Sequence, residues 1–273
     1  MHPDVVDLQK FYEGHLGNMV RHMIRRRIRA AWPSTRGMRV LGLGYATPYL
    51  RQFRDEAERI AAFMLAGQGV HRWPADADCR VALVDDTELP LEDAMVDRIL
   101  LVHALEHAGH AQAMLGEAWR VLAADGRLLM VVPNRRGIWA RFERTPFGAG
   151  RPYSARQIDK LLRNNMFNPL RTQGALYFPP SRRPVFLKAA GAFEKVFPRF
   201  KVNAFAGALL IEASKQVYAM SDRGAYVVKA RRRRPRAAVP LGASTVAGVR
   251  GTRGRVIDAV LRPAQHEKAL PSK

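Results

Sequence analysis

Apolar positions recur along this chain with two different periods, and the change of period marks where helices and strands are expected. Residues 5–32 carry apolar side chains every three to four positions, which is the spacing of one helix face and predicts one or two helices. Compact apolar runs of strand length follow. These strand candidates are residues 38–43, 60–65, 80–84, 98–102 and 128–132.

Helical spacing returns between the strand candidates. The helix candidates are residues 48–61, 110–122 and 154–164, the last with Ser154 as its N-cap. The turn-forming sequence Ala124-Asp125-Gly126 separates the second of these helices from the fifth strand. Later strand candidates at 175–178 and 206–213 flank a helix around 185–196. Strands that alternate with helices imply a parallel sheet with right-handed crossovers.

Composition divides the chain into three predicted parts. Residues 1–36 are a helical lead-in, residues 37–215 an α/β domain, and residues 216–273 a basic, mostly disordered tail in which the apolar pattern stops. The lead-in has two interpretations. It packs on the domain through its apolar face, or it lies on a membrane surface, which its arginines at positions 25–27 and 29 favour.

Charge is the unusual feature of the composition. Lysine and arginine number 45 against 24 acidic residues, which gives a net charge of +21 and a pI near 11.1. From Lys229 onward there are 12 basic and two acidic residues, so the body of the protein is basic even without its tail. This balance favours anionic partners, nucleic acid among them, although a generally basic proteome produces the same skew.

Cysteine content and hydropathy bear on the compartment. Cys79 is the only cysteine, so the chain forms no disulfide within itself and suits a reducing environment. No apolar run approaches the length of a transmembrane helix, and residues 1–10 lack the basic and apolar regions of a signal peptide. We therefore expect a cytoplasmic protein.

The first candidate site is the turn after the first strand. Gly42 and Gly44 end this strand before a predicted helix, and small residues there let the backbone approach a ligand and direct free amides at a carboxylate or phosphate. In an open parallel sheet, ligands bind beyond the carboxyl ends of the strands. A glycine at such a position is equally often an ordinary turn residue.

The second candidate site is a series of short motifs between the third and fifth strands. In order, they are Asp85-Asp86, Leu89-Pro90, Val96-Asp97, Leu105-Glu106-His107, Arg120-Val121-Leu122, Gly126 and Val132-Pro133-Asn134-Arg135. This order and spacing resembles the class I S-adenosylmethionine-dependent methyltransferases of the type 11 group. The resemblance is close over residues 39–134 and loose from there to residue 213. No single motif is specific, but the series is.

The resemblance implies a fold, a cofactor and a reaction. The implied fold class is α/β, a Rossmann-like, doubly wound, mainly parallel seven-stranded sheet with helices on both faces, preceded by the N-terminal lead-in helix. The implied cofactor is S-adenosyl-L-methionine, and the implied activity is methyl transfer. The methyl acceptor is not identified, and the basic charge favours an anionic one.

The resemblance also assigns cofactor-binding positions. Gly42, Gly44 and Ala46 line the loop that faces the methionine part of the cofactor. Asp85 approaches the adenine amino group with the Asp86 backbone beside it, and His103 borders the cofactor near the methyl group. Gln68 is the polar side chain at the end of the second strand, where the family has an acidic residue for the ribose hydroxyls. The full set is Gly42, Gly44, Ala46, Gln68, Asp85, Asp86 and His103.

The chain departs from the family pattern in this set. Gly42 stands where the family has a carboxylate, Pro48 stands where it has its last glycine, and Gln68 is neutral. Each lost charge-assisted hydrogen bond costs about 1.5–3 kcal/mol of binding free energy. An alternative is therefore a catalytically degenerate protein of the same fold that binds RNA or another anionic partner through its basic surface and tail.

Methyl transfer from a sulfonium depends mainly on alignment of the two reactants. A base is needed only when the acceptor is a protonated oxygen or nitrogen. His103 is the candidate catalytic residue, and Glu106 and His107 are further candidates for the base.

Two other classes of enzyme share short patterns with this sequence. Residues 103–107 match the H-x-x-E-H pattern of zinc proteases, but that pattern requires a long helix and a strand is predicted directly before it. We therefore expect no metal site. A dinucleotide-binding enzyme is excluded because Thr47 occupies the third glycine position of G-x-G-x-x-G.

Overall fold

A seven-stranded sheet forms the centre of the protein, whose computed structural model describes residues 4–181 and 205–217. Along the chain the strands are β1 Arg39–Gly44, β2 Arg59–Leu65, β3 Val81–Val84, β4 Val96–Val102, β5 Leu122–Pro133, β6 Phe167–Ala175 and β7 Ala208–Lys215. Their spatial order is β3-β2-β1-β4-β5-β7-β6. Only β7 runs antiparallel to its neighbours, β5 and β6.

Helices cover both faces of this sheet. They are α1 Val5–Glu13, α2 His15–Ala31, α3 Thr47–Leu50, α4 Ala111–Val121 and α5 Ala155–Asn164. The buried side chains of α1, α2 and α3 share one apolar core on the first face, and those of α4 and α5 share a second core on the other face. The predicted fold class, a Rossmann-like doubly wound and mainly parallel sheet, is confirmed.

The central strands are apolar along nearly their whole length because both of their faces are covered. In β1 and β2 every residue after the first is buried. The register places Gly44 of β1 opposite Val102 of β4, and Leu65 of β2 opposite Val84 of β3. The carboxyl ends of these four strands therefore lie side by side at one edge of the sheet.

Helix α2 packs on the domain through its apolar face. Val20, Ile24 and Ile28 are fully buried in the first core, while Arg25 and Arg26 face outward. The apolar face is thus occupied by the sheet and is not available to a membrane surface. Among the described residues, no helix combines the length and apolar character that crossing a bilayer requires.

Three predicted elements are wrong in their extent. The helix at 48–61 is only α3 and a 3₁₀ turn at Arg51–Phe53, because residues 59–61 pair with β1 and begin β2. The turn at 124–126 lies inside β5, which pairs with β4 from Leu122 onward through an irregularity near Val96. Of the strand predicted at 175–178, only Ala175 is in a strand, as the last residue of β6, and residues 176–178 follow that strand.

Further predictions lie partly or wholly outside the described residues. The helix around 185–196 is wholly outside them, and the basic tail is outside them from residue 218 onward.

The capped helix is confirmed as α5, since Ser154 accepts from the Gln157 amide while the Gln157 side chain accepts from the Ser154 amide.

We predict that Ile24→Ala lowers the free energy of unfolding by about 2–5 kcal/mol, because it removes a fully buried side chain between α2 and the sheet. The exposed Arg26→Ala on the same helix is the control and is expected to change stability by less than about 0.5 kcal/mol. Urea unfolding measures both. Equal effects of the two substitutions would contradict the docking of α2.

Candidate functional site

The loops that follow β1, β2, β3 and β4 meet at the carboxyl edge of the sheet, and they contain every predicted cofactor-binding residue beyond Gly42 and Gly44, which lie in β1 itself. In a doubly wound sheet this is the edge at which ligands bind. The lead-in helix α1 lies over the same edge, because the Val5 amide donates to the Gln68 carbonyl at 2.8 Å.

The two glycines of β1 allow a close approach to atoms of the chain itself. Gly44 has a φ of +78°, and a Cβ on it would lie 2.5 Å from the Val102 carbonyl oxygen. A Cβ on Gly42 would lie 2.6 Å from Leu50. Packing of β1 against β4 and α3 therefore requires glycine at both positions.

The amides of this turn are not free, contrary to the expectation from sequence. The Tyr45 amide donates to the Val102 carbonyl at 2.8 Å, and the Ala46 amide donates to the Gly44 carbonyl at 3.0 Å. Helix α3, which follows, has only four residues. The turn thus lacks the long helix N-terminus that binds anions in related folds.

His103 is the residue around which the site is organised. It follows β4, is fully buried, and has a φ of +49°, which is strained for a side chain of its size. The Gln68 side chain donates to the His103 carbonyl at 2.6 Å and fixes this backbone. Strained backbone that is held by buried hydrogen bonds is typical of functional sites.

Both nitrogens of the His103 ring are hydrogen-bonded. Nδ1 lies 3.1 Å from Glu106 Oε1, and Nε2 lies 2.8 Å from the Tyr12 hydroxyl. Because Tyr49 donates to the Tyr12 oxygen at 3.0 Å, the Tyr12 proton is directed at Nε2. The network thus assigns the His103 proton to Nδ1, where it is donated to Glu106.

The polar groups of this network are shielded from water. Burial, and then the neighbouring Tyr49, raise the pKa of Tyr12 well above its usual range, so its hydroxyl keeps the proton it donates. Among the described residues, the second carboxylate oxygen of Glu106, Oε2, is buried without a hydrogen-bond partner. A buried carboxylate with one unpaired oxygen is costly for stability, which favours a functional reason for its presence.

Tyr12 was missed as a site residue. The periodicity of the lead-in marks it as an apolar position, and its ring is indeed buried, stacking on Tyr45 with centroids 5.6 Å apart. The ring of Phe147 approaches His103 from another side, at 4.9 Å. The sequence holds one indication that Tyr12 makes a polar contact, namely a hydroxyl on an otherwise apolar helix face, because buried tyrosines usually find a polar partner.

Beside this network lies an open groove with a volume of about 210 Å³ between the ends of β2 and β3. Its polar lining includes Gln68, Asp85, Asp86 and His107. Asp85 accepts from the Thr87 amide at 2.8 Å and the Thr87 hydroxyl at 2.6 Å, and these bonds hold the pKa of Asp85 below its usual value. Burial and then Asp85 raise the pKa of Asp86.

The structure therefore divides the predicted site residues into two groups. Gln68, Asp85 and Asp86 line the groove, and Gln68 connects it to His103 through its hydrogen bond. Gly42, Gly44 and Ala46 do not line the groove, and Ala46 is buried beneath the turn after β1.

The geometry of residues 103–107 does not fit the zinc-protease interpretation. Residues 103–107 form a turn rather than a helix, so the two histidines do not share a helix face. Glu106 is bonded to His103 instead of standing apart to activate water. Within residues 4–181 and 205–217, no cluster of three potential metal ligands is present.

Comparison with known proteins shows that part of the chain is similar to methyltransferases. Residues 30–130 match the type 11 family model described as "Methyltransferase domain". The sequence comparison with curated proteins gave no match. Many solved structures share the fold, and at identities below one fifth their likeness establishes the fold alone.

Three of these structures illustrate the likeness. A Thermotoga maritima S-adenosylmethionine-dependent methyltransferase, described as a possible histamine N-methyltransferase, is 15% identical over 78% of this chain and 96% of its own, with a TM-score of 0.56. A chain from a Haloferax volcanii complex that contains the Trm112 methyltransferase activator is 19% identical over 78% of this chain and 99% of its own, with a TM-score of 0.57. An Archaeoglobus fulgidus S-adenosylmethionine-dependent methyltransferase is 16% identical over 71% of this chain and 94% of its own, with a TM-score of 0.52.

We predict that Tyr12→Phe destabilises the protein by about 1–3 kcal/mol, because it leaves the buried Nε2 of His103 without its donor. Tyr153→Phe is the matched control, since the half-buried Tyr153 hydroxyl lies 3.4 Å from the Leu105 carbonyl, at the limit of a hydrogen bond. Thermal and urea unfolding measure both. A Tyr12→Phe protein as stable as the control would show that the network contributes nothing.

Proposed function

From the premise that residues 30–130 are a class I methyltransferase domain of the type 11 group, with S-adenosylmethionine as cofactor, we propose that this enzyme methylates an oxygen or nitrogen acceptor whose proton His103 removes. The observation that carries the proposal is the buried His103, with a strained backbone, Nδ1 hydrogen-bonded to Glu106, and Nε2 hydrogen-bonded to Tyr12 of helix α1.

The groove between β2 and β3 suits the nucleoside half of the cofactor. Its carboxylates, Asp85 and Asp86, are acceptors for an amino group and for hydroxyls, and the Gln68 side chain lies beside them. The groove measures about 210 Å³, which is smaller than the roughly 300–1,000 Å³ of typical small-molecule pockets. Asp85, Asp86 and Gln68 are thus proposed to hold the adenosine part alone.

Tyr12 covers the position that the resemblance assigns to the methyl group. Its ring stacks on Tyr45 of the turn after β1, and its hydroxyl bonds to His103. Helix α1 has nine residues and buries only Val5, Leu8 and Tyr12. We therefore propose that α1 is displaced when the whole cofactor binds, which removes Tyr12 from Nε2 and opens this nitrogen to the acceptor.

His103 is suited to accept a proton once Tyr12 has moved. The bond from Nδ1–H to Glu106 fixes the tautomer that leaves the Nε2 lone pair available, and the carboxylate stabilises the imidazolium that forms. The bound cofactor supplies a methyl group on a positively charged sulfur, which leaves as a neutral thioether. General base catalysis of this kind contributes about 10²–10⁴-fold to a rate.

The domain bounds, the compartment, the class of acceptor and the partner of the protein are also part of the proposal. The catalytic domain is placed at residues 37–215, with residues 1–36 as its helical cover and 216–273 as a basic tail. The cytoplasm is the proposed compartment, supported by the exposed, unpaired Cys79. An anionic acceptor is proposed from the excess of arginine, and nucleic acid is the candidate partner of the basic surface and tail.

A catalytically degenerate, anion-binding protein is the second candidate function. The specific observation in its favour is that the Tyr45 and Ala46 amides are already bonded within the chain, which removes donors for the methionine carboxylate. Cofactor binding distinguishes the two functions, because the degenerate protein binds RNA and not S-adenosylmethionine.

We predict that calorimetry detects binding of S-adenosylmethionine and that Asp85→Ala raises Kd by about 10- to 100-fold, as expected for loss of a charge-assisted hydrogen bond. Two control variants separate loss of the Asp85 carboxylate from loss of the turn and from a general change of charge. Thr87→Val removes the turn hydroxyl but keeps the carboxylate, and Asp125→Ala removes an exposed carboxylate far from the groove. Failure of the wild-type protein to bind at millimolar ligand would favour the degenerate binding protein.

We predict that His103→Asn lowers methyl transfer by about 10²–10⁴-fold while Kd for S-adenosylmethionine changes little. Asparagine is chosen because it tolerates positive φ. The assay follows labelled methyl groups from the cofactor into a small-molecule extract, and Glu106→Gln is expected to lower the rate as well. Circular dichroism establishes that each variant is folded. An undiminished rate in a folded His103→Asn protein would refute the base assignment.

A further inference from the structure

The Tyr12 side chain fills a closed compartment beside His103, and only 2% of the residue is exposed. Tyr45 stacks on its ring, with centroids 5.6 Å apart and planes inclined by 20°. The ring of Tyr49 meets it edge-on, with centroids 6.0 Å apart and planes inclined by 89°. The space that the Tyr12 side chain fills is called the Tyr12 compartment below. Its aromatic walls suit a planar ring better than an aliphatic group.

The hydroxyl of Tyr12 indicates which bonds a ligand in this compartment would make. His103 Nε2 accepts the hydroxyl proton at 2.8 Å, and the Tyr49 hydroxyl donates to the oxygen at 3.0 Å. The compartment therefore offers one hydrogen-bond acceptor and one donor to a single polar atom. Burial raises the pKa of Tyr49 above its usual value, so Tyr49 keeps its proton and remains a donor.

A hydroxyl group is the methyl acceptor that these two partners select. Its oxygen has one proton for His103 Nε2 and two lone pairs, one for the Tyr49 proton and one for a bond to the methyl carbon. An amine nitrogen has a single lone pair, which the Tyr49 proton would occupy, so no pair would be left to attack the methyl group. A carboxylate has no proton to donate, and its oxygen would face the lone pair of Nε2.

We propose that the methyl acceptor is the hydroxyl of a phenol, which enters the Tyr12 compartment when α1 is displaced and makes the bonds that Tyr12 makes in this structure. Its ring stacks on Tyr45, and its hydroxyl donates to His103 and accepts from Tyr49. This inference rests on the proposed function and narrows the acceptor from an oxygen or nitrogen to a phenolic oxygen. An anionic substituent on the ring is consistent with the basic surface.

Methylation of a phenol needs no reactant besides the cofactor. The phenol oxygen forms a bond to the methyl carbon, and the carbon–sulfur bond breaks with its electron pair left on sulfur. The phenol proton passes to Nε2 of His103, and the imidazolium then releases a proton to solvent. The hydrogen bond from Tyr49 stabilises the negative charge that develops on the oxygen as the proton leaves. Tyr12 is therefore an internal substitute for the acceptor, and a free phenol competes with it.

The first test measures binding to a Tyr12→Ala protein, in which the compartment is open. The probes are p-cresol, which matches the tyrosine side chain, toluene, which lacks the hydroxyl, and p-toluidine, which has an amine in its place. We expect calorimetry to give p-cresol a Kd at least about tenfold lower than either analogue. Adding Tyr49→Phe should remove most of this preference. Phe63→Ala is the control, because it opens space among apolar side chains of the other core, where p-cresol should have no advantage over toluene.

The second test measures methyl transfer by the wild-type protein, so it does not depend on the folding of Tyr12→Ala. We expect labelled methyl groups from S-adenosylmethionine to appear in the methyl ether of p-cresol and not in p-toluidine. Tyr12→Ala should reach its half-maximal rate at a p-cresol concentration at least about tenfold lower, because no internal phenol competes for the compartment. Tyr49→Phe should lower kcat, because it removes the donor to the reacting oxygen.

Three results would overturn the proposal. Equal affinity of Tyr12→Ala for the three probes would show that the compartment does not recognise a hydroxyl. Faster methylation of p-toluidine than of p-cresol would assign a nitrogen acceptor. If S-adenosylmethionine binds but neither the wild-type protein nor Tyr12→Ala methylates p-cresol, the phenol class is refuted and the proposed methyl transfer stands. The binding comparison contains no cofactor, so it decides the phenol assignment even if S-adenosylmethionine does not bind.

Discussion

The buried hydrogen bond between Tyr12 and His103 is the interaction on which the arrangement of the site depends. It joins the lead-in helix to the end of β4 and connects Tyr49 at one end to Glu106 at the other. Buried polar groups are stable only when they are paired, so the His103 ring requires a partner at Nε2 whenever water is excluded. In this structure α1 supplies that partner, and in the proposed reaction the acceptor replaces it.

The sheet makes this exchange of partners feasible. Its register fixes β1, β2 and β4 side by side, so Gln68 reaches the His103 carbonyl and the backbone strain is held by rigid elements. Helix α1 is short by contrast, and besides the buried side chains of Val5 and Leu8 its contacts with the site are the Tyr12 hydroxyl and the Val5 amide. Displacement of a cover from a rigid residue, as proposed for α1, is a common way to exclude water from a reaction and still admit the reactants.

The strands of the core could be predicted because apolar runs buried on both faces leave a clear pattern. All five strand candidates before residue 134 correspond to β1–β5, and the motifs between them indicated the family. The helix at 48–61 was overestimated, because its apolar residues serve both a helix and β2, and pairing with β1 decided between them. Strand β6 escaped detection along most of its length because it is polar and lies at the sheet edge.

The candidate site could be predicted only in part. The order of motifs pointed to Asp85 and His103, whereas the role of Tyr12 depends on a contact 91 residues away in sequence, which no local pattern encodes. The occupied amides of the turn after β1 likewise follow from the close packing of β1 on β4.

A crystal structure of the protein with S-adenosylhomocysteine tests the central claim most directly, through the distance between the Tyr12 hydroxyl and His103 Nε2. The account predicts that the adenosine lies beside Asp85 and that this distance, 2.8 Å in the present structure, exceeds hydrogen-bonding range because α1 has moved. A bound ligand with the Tyr12–His103 hydrogen bond intact would contradict it.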